Sequence, residues 1–183
     1  MVGPGTGVYG IGMRTIDHAS GARLFVSTYK EGLLSAVAHD LKLQCERFRV
    51  EIADDESSIT ATFDPASLKV VTAMKDGREN PSGLPHLLFH EVEKNIADDV
   101  LRPKKHPEIR FTSTKVTATG VDGTLTLCGQ QRPVHVERSD DGAAYVGRVR
   151  LDQREFGIKP FSAMMGTLKI QPHVDVEIRL PRR

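Results

Sequence analysis

The hydrophobic positions of this chain recur with a period of two over most of its length, as expected for strands with one buried face. Leu24 and Val26 alternate with polar neighbours, and Leu41, Leu43 and Cys45 do the same. The run from Leu41 to Ile52 changes phase, because its first three apolar positions are odd-numbered whereas Phe48, Val50 and Ile52 are even. One extra residue near Glu46–Arg47 would account for this, which predicts a β-bulge or bend there. Ile59, Ala61 and Phe63 alternate up to Asp64-Pro65, and Leu68 with Val70 resume after that turn. Further strands are predicted over 108–118, 123–128, 133–138, 143–152 and 168–180. The turns between them are expected at Val121-Asp122-Gly123, at Gly129-Gln130 and from Ser139 to Gly142. The final strand has the clearest pattern: Leu168, Ile170, Pro172, Val174, Val176, Ile178 and Leu180 share one parity, and polar residues hold the other. Within it Pro172 marks an edge or a bulge.

The pattern breaks in the middle of the chain. Lys75 to Pro85 carries Asp-Gly, Asn-Pro, Ser-Gly and Leu-Pro, turn chemistry that predicts an exposed loop. Beyond it Leu88 (or Phe89), Val92, Ile96 and Val100 fall at helical spacing. One amphipathic helix is therefore predicted near 86–101, with Ser82 as its candidate cap and Pro103 as its stop. Residues 1–14 hold five glycines and one proline with no apolar period, and read as a flexible N-terminal arm before a single domain over 15–183. About eight antiparallel strands with one helical insertion must stack as a sandwich or close on themselves, and closure removes exposed edges. The expected fold is a mainly β, antiparallel barrel. A barrel of that size can fill with its own side chains or hold one small or elongated apolar ligand.

Composition narrows the function classes. At 183 residues the chain is long enough for one good core. Its 25 Lys and Arg against 24 Asp and Glu give a net charge of +1, so no overall field would draw it to phosphates, and nucleic acid is not an expected partner. No apolar run approaches the roughly 18–20 residues of a bilayer-spanning helix, so no transmembrane segment is expected. The first residues lack the basic and leucine-rich regions of a secretory signal, which makes the expected location cytoplasmic. In that compartment Cys45 and Cys128 are expected as thiols packed in apolar stretches, too far apart in sequence for a CxxC motif.

Four stretches, in order, carry a resemblance. They are Lys30-Glu31-Gly32-Leu33-Leu34-Ser35 with His39-Asp40-Leu41; His106-Pro107-Glu108-Ile109-Arg110-Phe111-Thr112-Ser113; Gly123 to Gly129 with Pro133-Val134; and Arg154-Glu155-Phe156-Gly157-Ile158. Together they resemble the YceI-like family over about 15–180. The resemblance implies a lipocalin-like antiparallel barrel with a helical insertion, whose interior holds a polyisoprenoid chain in some members. The chain departs from the pattern in having no recognisable secretion signal and no Trp.

Each motif also has a purely structural explanation. Pro107 biases His106 toward a helix-to-strand hinge, Gly129 and Pro133 bracket a hairpin, and Phe156-Gly157-Ile158 suits a barrel rim. His39-Asp40 follows Leu34 to Ala38, a stretch that could form one helical turn across a barrel mouth, where an imidazole beside a carboxylate could orient a polar head group. The bore of a hollow barrel would want aromatic and flexible side chains, and by parity and position the candidates are Phe25, Leu43, Phe48, Phe63, Phe111, Phe156, Phe161, Met164 and Met165, with His39 at the mouth. The segment Phe161 to Gly166 is the best candidate for a pocket lip.

The leading expectation is a non-catalytic protein that binds one apolar, isoprenoid-type lipid, with no cofactor and no metal. Two alternatives stay open. One is a packed structural or interaction domain; self-association as a homodimer is compatible with either this reading or the leading one. The other is a hydrolytic or metal-dependent enzyme using His39 or His106 with Asp40 or Glu108. The sequence has no nucleophile elbow, Gly-rich phosphate loop or HExxH pair. Only His86 and His90 have the spacing of two ligands on a helix face, and Leu-Leu-Phe separates them where a zinc hydrolase would need Glu.

Overall fold

The computed structural model describes residues 12–31 and 39–182. The expected helical turn over Leu34 to Ala38 and most of the expected arm lie outside the described residues. Met13 and Arg14, assigned to that arm by the sequence pattern, pair in the sheet with Ala53 and Ile52.

The fold is mainly β, antiparallel and curled, with one α-helix among the described residues. Its strands are β1 (Met13–Asp17), β2 (Arg23–Lys30), β3 (Asp40–Cys45), β4 (Phe48–Ala53), β5 (Ile59–Phe63), β6 (Leu68–Lys75), β7 (Arg78–Asn80), β8 (Ile109–Val116), β9 (Gly120–Leu127), β10 (Gln130–Asp140), β11 (Ala144–Asp152), β12 (Ser162–Ala163) and β13 (Leu168–Pro181). Among the described residues thirteen segments thus replace the eight or so strands expected. The excess has a physical cause, which is bending. β1 pairs with β4 while β2 pairs with β3, and β4 pairs with β5 while β3 pairs with β6. β1–β2, β3–β4 and β5–β6 are therefore long strands, each broken at a corner.

The corner falls where the apolar pattern changes phase. Glu46 and Arg47 bulge between β3 and β4, and the short 3-10 turn Pro65–Ser67 fills the facing bend. Glu46 N donates to Ser67 O (3.2 Å) and Asp64 N donates to Arg47 O (2.9 Å). The fully buried Ser67 hydroxyl donates to Asp64 O at 2.8 Å and accepts from Arg47 N at 2.9 Å. No buried side-chain polar atom among the described residues lacks a partner, which a corner inside a sheet requires.

The hydrogen-bonded order runs β1-β4-β5-β8-β9-β10-β11-β13-β2-β3-β6-β7, so both ends of the path belong to the bent strands or their short hairpin. Across β2, β13 and β11 the outer face is tied by polar rungs. Tyr29 Oη donates to Asp175 at 2.6 Å, and Arg150 grips the same carboxylate through two bonds of 2.7 and 2.8 Å. Pro172 sits where the β13–β2 register shifts, as a bulge should.

Two turns differ from expectation. Val121-Asp122-Gly123 lies within β9, and the β8–β9 turn comes earlier, closed by Thr117 N to Gly120 O at 2.9 Å. Asp122 is committed to the strand by a 2.6 Å hydrogen bond across it to His135 Nδ1. Within the expected 75–85 loop, Lys75 and Arg78 pair across Asp76-Gly77, whose positive φ values of 52° and 74° make a tight hairpin.

The helical run begins at His86 and ends at Leu101, with α1 (Phe89–Asn95) at its centre. Ser82 does not cap it: its hydroxyl bonds Asn80 instead. The run stops at Arg102, which takes the left-handed conformation just before Pro103. Leu88, Phe89, Val92 and Ile96 pack against Leu41, Leu43 and Val70 on β3 and β6, so the helix covers the short-hairpin end of the sheet.

Candidate ligand-binding site

The alternation of β10 shows what the sheet encloses. Val134, Val136 and Arg138 face inward and Pro133, His135 and Glu137 face out, yet the inward residues are only half-buried. The inward residues of β13, including Val174, Val176, Ile178 and Leu180, are also half-buried. In a filled core such positions would be buried. Here they border an internal cavity of about 500 Å³, within the usual range for small-molecule pockets.

The wall is built from nearly every strand. β2 contributes Leu24, Val26 and Thr28; β3 Leu41, Leu43 and Cys45; β4 Val50 and Ile52; β5 Ile59, Ala61 and Phe63; β8 Ile109 and Phe111; and β9 Val121, Leu125 and Leu127. The helical run adds Leu88, Val92, Ile96, Val100 and Leu101 as a side wall. Gly123 is essential to this geometry, because a Cβ there would lie 2.4 Å from the Phe111 ring and 2.6 Å from Thr112 O. The bare backbone at Gly123 leaves room for the Phe111 ring beside β9.

Polar side chains are confined to the two ends. Thr28, His39, Glu91, Asn95 and Gln153 gather where β2 ends and the helix begins to cover the sheet. Arg14, Glu56, Arg138 and Tyr145 gather at the opposite end, around the β4–β5 turn. There Arg138 pairs with Glu56 at 2.9 Å and stacks over the Tyr145 ring at 4.9 Å.

Of the residues anticipated for the bore, Leu43, Phe63, Phe111 and Phe161 line the cavity and His39 stands at its mouth. Phe25 lies on the outer face under Lys42 Nζ, 4.4 Å from the ring centroid, because Leu24 and Val26 take the inward parity. Phe48 shares the parity of Val50 and Ile52 and is buried against Phe63 at 6.3 Å between centroids, without lining the cavity. Phe156 is fully buried in the 3-10 turn Gln153–Phe156. Met164 and Met165 sit exposed at the tip of the β12–β13 hairpin, both with left-handed backbone. Sequence reasoning missed Arg14, Arg138, Tyr145 and the half-buried valines of β10 and β13. Parity alone could have found Arg138, which shares the face of Val134 and Val136.

The residues weighed for acid–base work do not converge. Asp40 accepts from Lys30 N at 2.8 Å, which caps β2 and leaves His39 to the cavity side. His106 rests near the Gly129 turn, and Glu108 is held by Arg110 at 2.6 Å. The cavity-lining Cys45 lies 3.2 Å from the Ser67 hydroxyl, and burial pushes its thiol up, away from the reactive thiolate form. Burial raises Cys128 likewise. His86 stacks on Phe89 at 4.5 Å, and no group of three or more His, Cys, Asp or Glu among the described residues could hold a metal ion. No helix among them is long and apolar enough to cross a membrane.

Comparisons with known proteins agree with this fold. The chain aligns at 35% identity over 101 residues with a UPF0312 protein of Pseudomonas putida strain W619, covering 46% of this chain and 53% of that one. It thus spans about half the length of the curated relatives it matches. Among solved structures, Burkholderia cenocepacia BcnA superposes with a TM-score of 0.58 at 16% identity over 90% of this chain and 98% of its own. A polyisoprenoid binding domain from Saccharophagus degradans, implicated in plant cell wall breakdown, gives 0.57 at 9% identity over 94% and 99%. The Campylobacter jejuni YceI protein gives 0.53 at 15% over 78% and 85%. At these identities the superpositions establish a shared fold. The model of the YceI-like domain matches residues 19–181, nearly the whole chain, and the protein belongs to the YceI-like family.

Proposed function

We propose that this protein is a non-catalytic binder of an apolar, isoprenoid-type lipid, with the three bent strands completing an eight-stranded barrel around the ligand. The observation that carries this reading is the cavity of about 500 Å³, whose inward side chains are apolar yet only half-buried. Burial of hydrocarbon against that wall supplies the affinity, at roughly 25 cal/mol per Å² of apolar surface removed from water. Leu43, Phe63, Phe111 and Phe161 contact the chain, and the polar groups at the two ends read what terminates it. A polyisoprenoid binding domain of the same fold in Saccharophagus degradans supports the ligand class.

The test is native mass spectrometry of freshly purified protein, followed by organic extraction. A species of a few hundred daltons or more that leaves with solvent is expected. A clean apo mass from several expression hosts, together with failure to take up added farnesol, would overturn the reading and favour a packed interaction domain.

A further inference from the structure

The cavity wall has one seam that no backbone ladder closes. β5 pairs with β8, but its continuation β6 does not. β7 pairs only with Ala73, Met74 and Lys75, so the outer edge of β6 from Leu68 to Thr72 has no strand partner among the described residues. The helical run from His86 to Leu101 lies along that seam and presents Leu88, Val92, Ile96, Val100 and Leu101 to the cavity. None of its residues is fully buried, and no backbone–backbone hydrogen bond among the described residues joins it to β6.

A single carboxylate makes the polar join. Glu93, with 16% of its side chain exposed, accepts from Val70 N through Oε1 and from Lys69 Nζ through Oε2, each at 3.0 Å. It thereby satisfies a strand-edge donor that a neighbouring strand would otherwise take. The run is anchored on either side of α1. Leu84 is buried against β3 and β6 before it, and beyond it Cys128 Sγ donates to Leu101 O at 3.6 Å while Val100 and Leu101 pack on the main core. Between these anchors the hydrogen-bond ladder changes from α to π spacing at Ile96, a break at which a helix can bend. Parting two strands would break a continuous ladder, such as that between β11 and β13 from Ala144 to Asp152. Lifting α1 breaks one carboxylate's bonds and half-buried apolar contacts, so the seam is the wall's least costly opening.

We infer that the apolar ligand enters and leaves between α1 and β6, and that Glu93 is the latch of this gate. This rests on the lipid-binding reading of the cavity. When Glu93 lets go, α1 tilts outward about Leu84 and the break at Ile96, and Leu88 and Val92 swing off the cavity. When it rebinds, the carboxylate reseals the β6 edge. Glu93 is not among the cavity-lining residues, so it governs how fast the ligand exchanges and not how tightly it is held.

The test follows uptake and release of farnesol carrying a nitrobenzoxadiazole fluorophore by stopped flow, on delipidated full-length protein. Glu93→Ala should raise the association and dissociation rates together, each roughly tenfold, and leave Kd within about twofold. Glu93→Gln, which keeps an acceptor for Val70 N and loses the attraction to Lys69, should give a smaller parallel rise. The wild-type chain supplies a second arm that needs no unlatched variant. Carbodiimide joins the Lys69 amine to the Glu93 carboxyl as an amide, the reagent taking up the water released, whereas Lys69→Arg keeps the ion pair and cannot be joined. Probe loaded before coupling should leave the coupled wild type at least roughly tenfold more slowly than the treated Lys69→Arg protein. Equal release from those two, or a Glu93→Ala effect confined to the dissociation rate, would overturn the gate while the cavity reading stands. Failure of the untreated wild type to take up the probe would overturn both.

Discussion

Whether the interior is hollow can be decided by the sign of one stability change. Val176 on β13 lies in a row with Val149 on β11 and Val26 on β2, and all three line the cavity. Its side chain faces inward and is still half-exposed, so space lies in front of it. Val176→Phe extends into that space. At about 0.8 kcal/mol per buried carbon the full gain would be near 3 kcal/mol, and a ring covered on one side should realise about 1–2 kcal/mol of it. In a packed interior the same substitution would force neighbours off their rotamers and cost about 1–3 kcal/mol. Urea denaturation of the delipidated variant and wild type reads the difference, because a shift in midpoint at constant m is a stability change. The expected result is a higher midpoint together with weaker uptake of a long-chain ligand, since the ring occupies its space. A midpoint lowered by the equivalent of 1–3 kcal/mol at constant m, with ligand uptake unchanged, would refute a hollow interior.

Other consequences follow from single contacts. Gly123→Ala drives a methyl into the Phe111 ring and Thr112 O, and should cost about 1–3 kcal/mol in urea melts. Phe111→Leu in the same chain should recover part of that loss, whereas strictly additive effects would show that the ring is not the obstacle. Arg154 beside Asp152 holds its carboxyl down to about 2, with Arg154 N and His173 adding to the effect. A depressed carboxyl stabilises the fold above the unfolded value near 3.8, and that stabilisation fades as pH falls from about 4 through about 2. Asp152→Asn should therefore flatten the acid limb of the stability curve across that window. Because the Arg154 side chain is largely exposed, the effect should stay below about 1 kcal/mol and shrink with salt. An acid limb identical in the variant and wild type would show that the pair contributes nothing to stability.

Much of the architecture was legible because it rests on local periodicity. The phase change between Cys45 and Phe48 marks the corner, the spacing of Leu88, Val92 and Ile96 marks the helix, and Pro172 marks the bulge. The strand count was not legible. A bent strand and two separate strands show the same alternation, and only the pairing of β1 with β4 beside β2 with β3 shows that the hairpin is continuous. The turn expected at Val121-Asp122-Gly123 illustrates a second limit. Asp-Gly suits a turn, but here Asp122 reaches His135 across the strands and Gly123 makes room for an aromatic ring, both of which are tertiary facts.

The candidate site divides along the same line. Parity settles which way a side chain points, so Leu43, Phe63 and Phe111 could be read as inward, and Phe25 could have been read as outward from Leu24 and Val26. It does not report how much of the enclosed volume those side chains fill. That depends on the girth of the curled sheet and on the valines at Val26, Val149 and Val176, whose modest size leaves the space that leucine or phenylalanine would occupy. Aromatic residues were the natural candidates for a lipid-lined bore, yet the openness of the bore follows from what is small. By the same logic the informative polar residue is the one that breaks the apolar rule on the inward face. Arg138 continues the parity of Val134 and Val136, and its charge on that face is met by Glu56 at 2.9 Å and by the ring of Tyr145, pairings that no alternation of apolar residues announces.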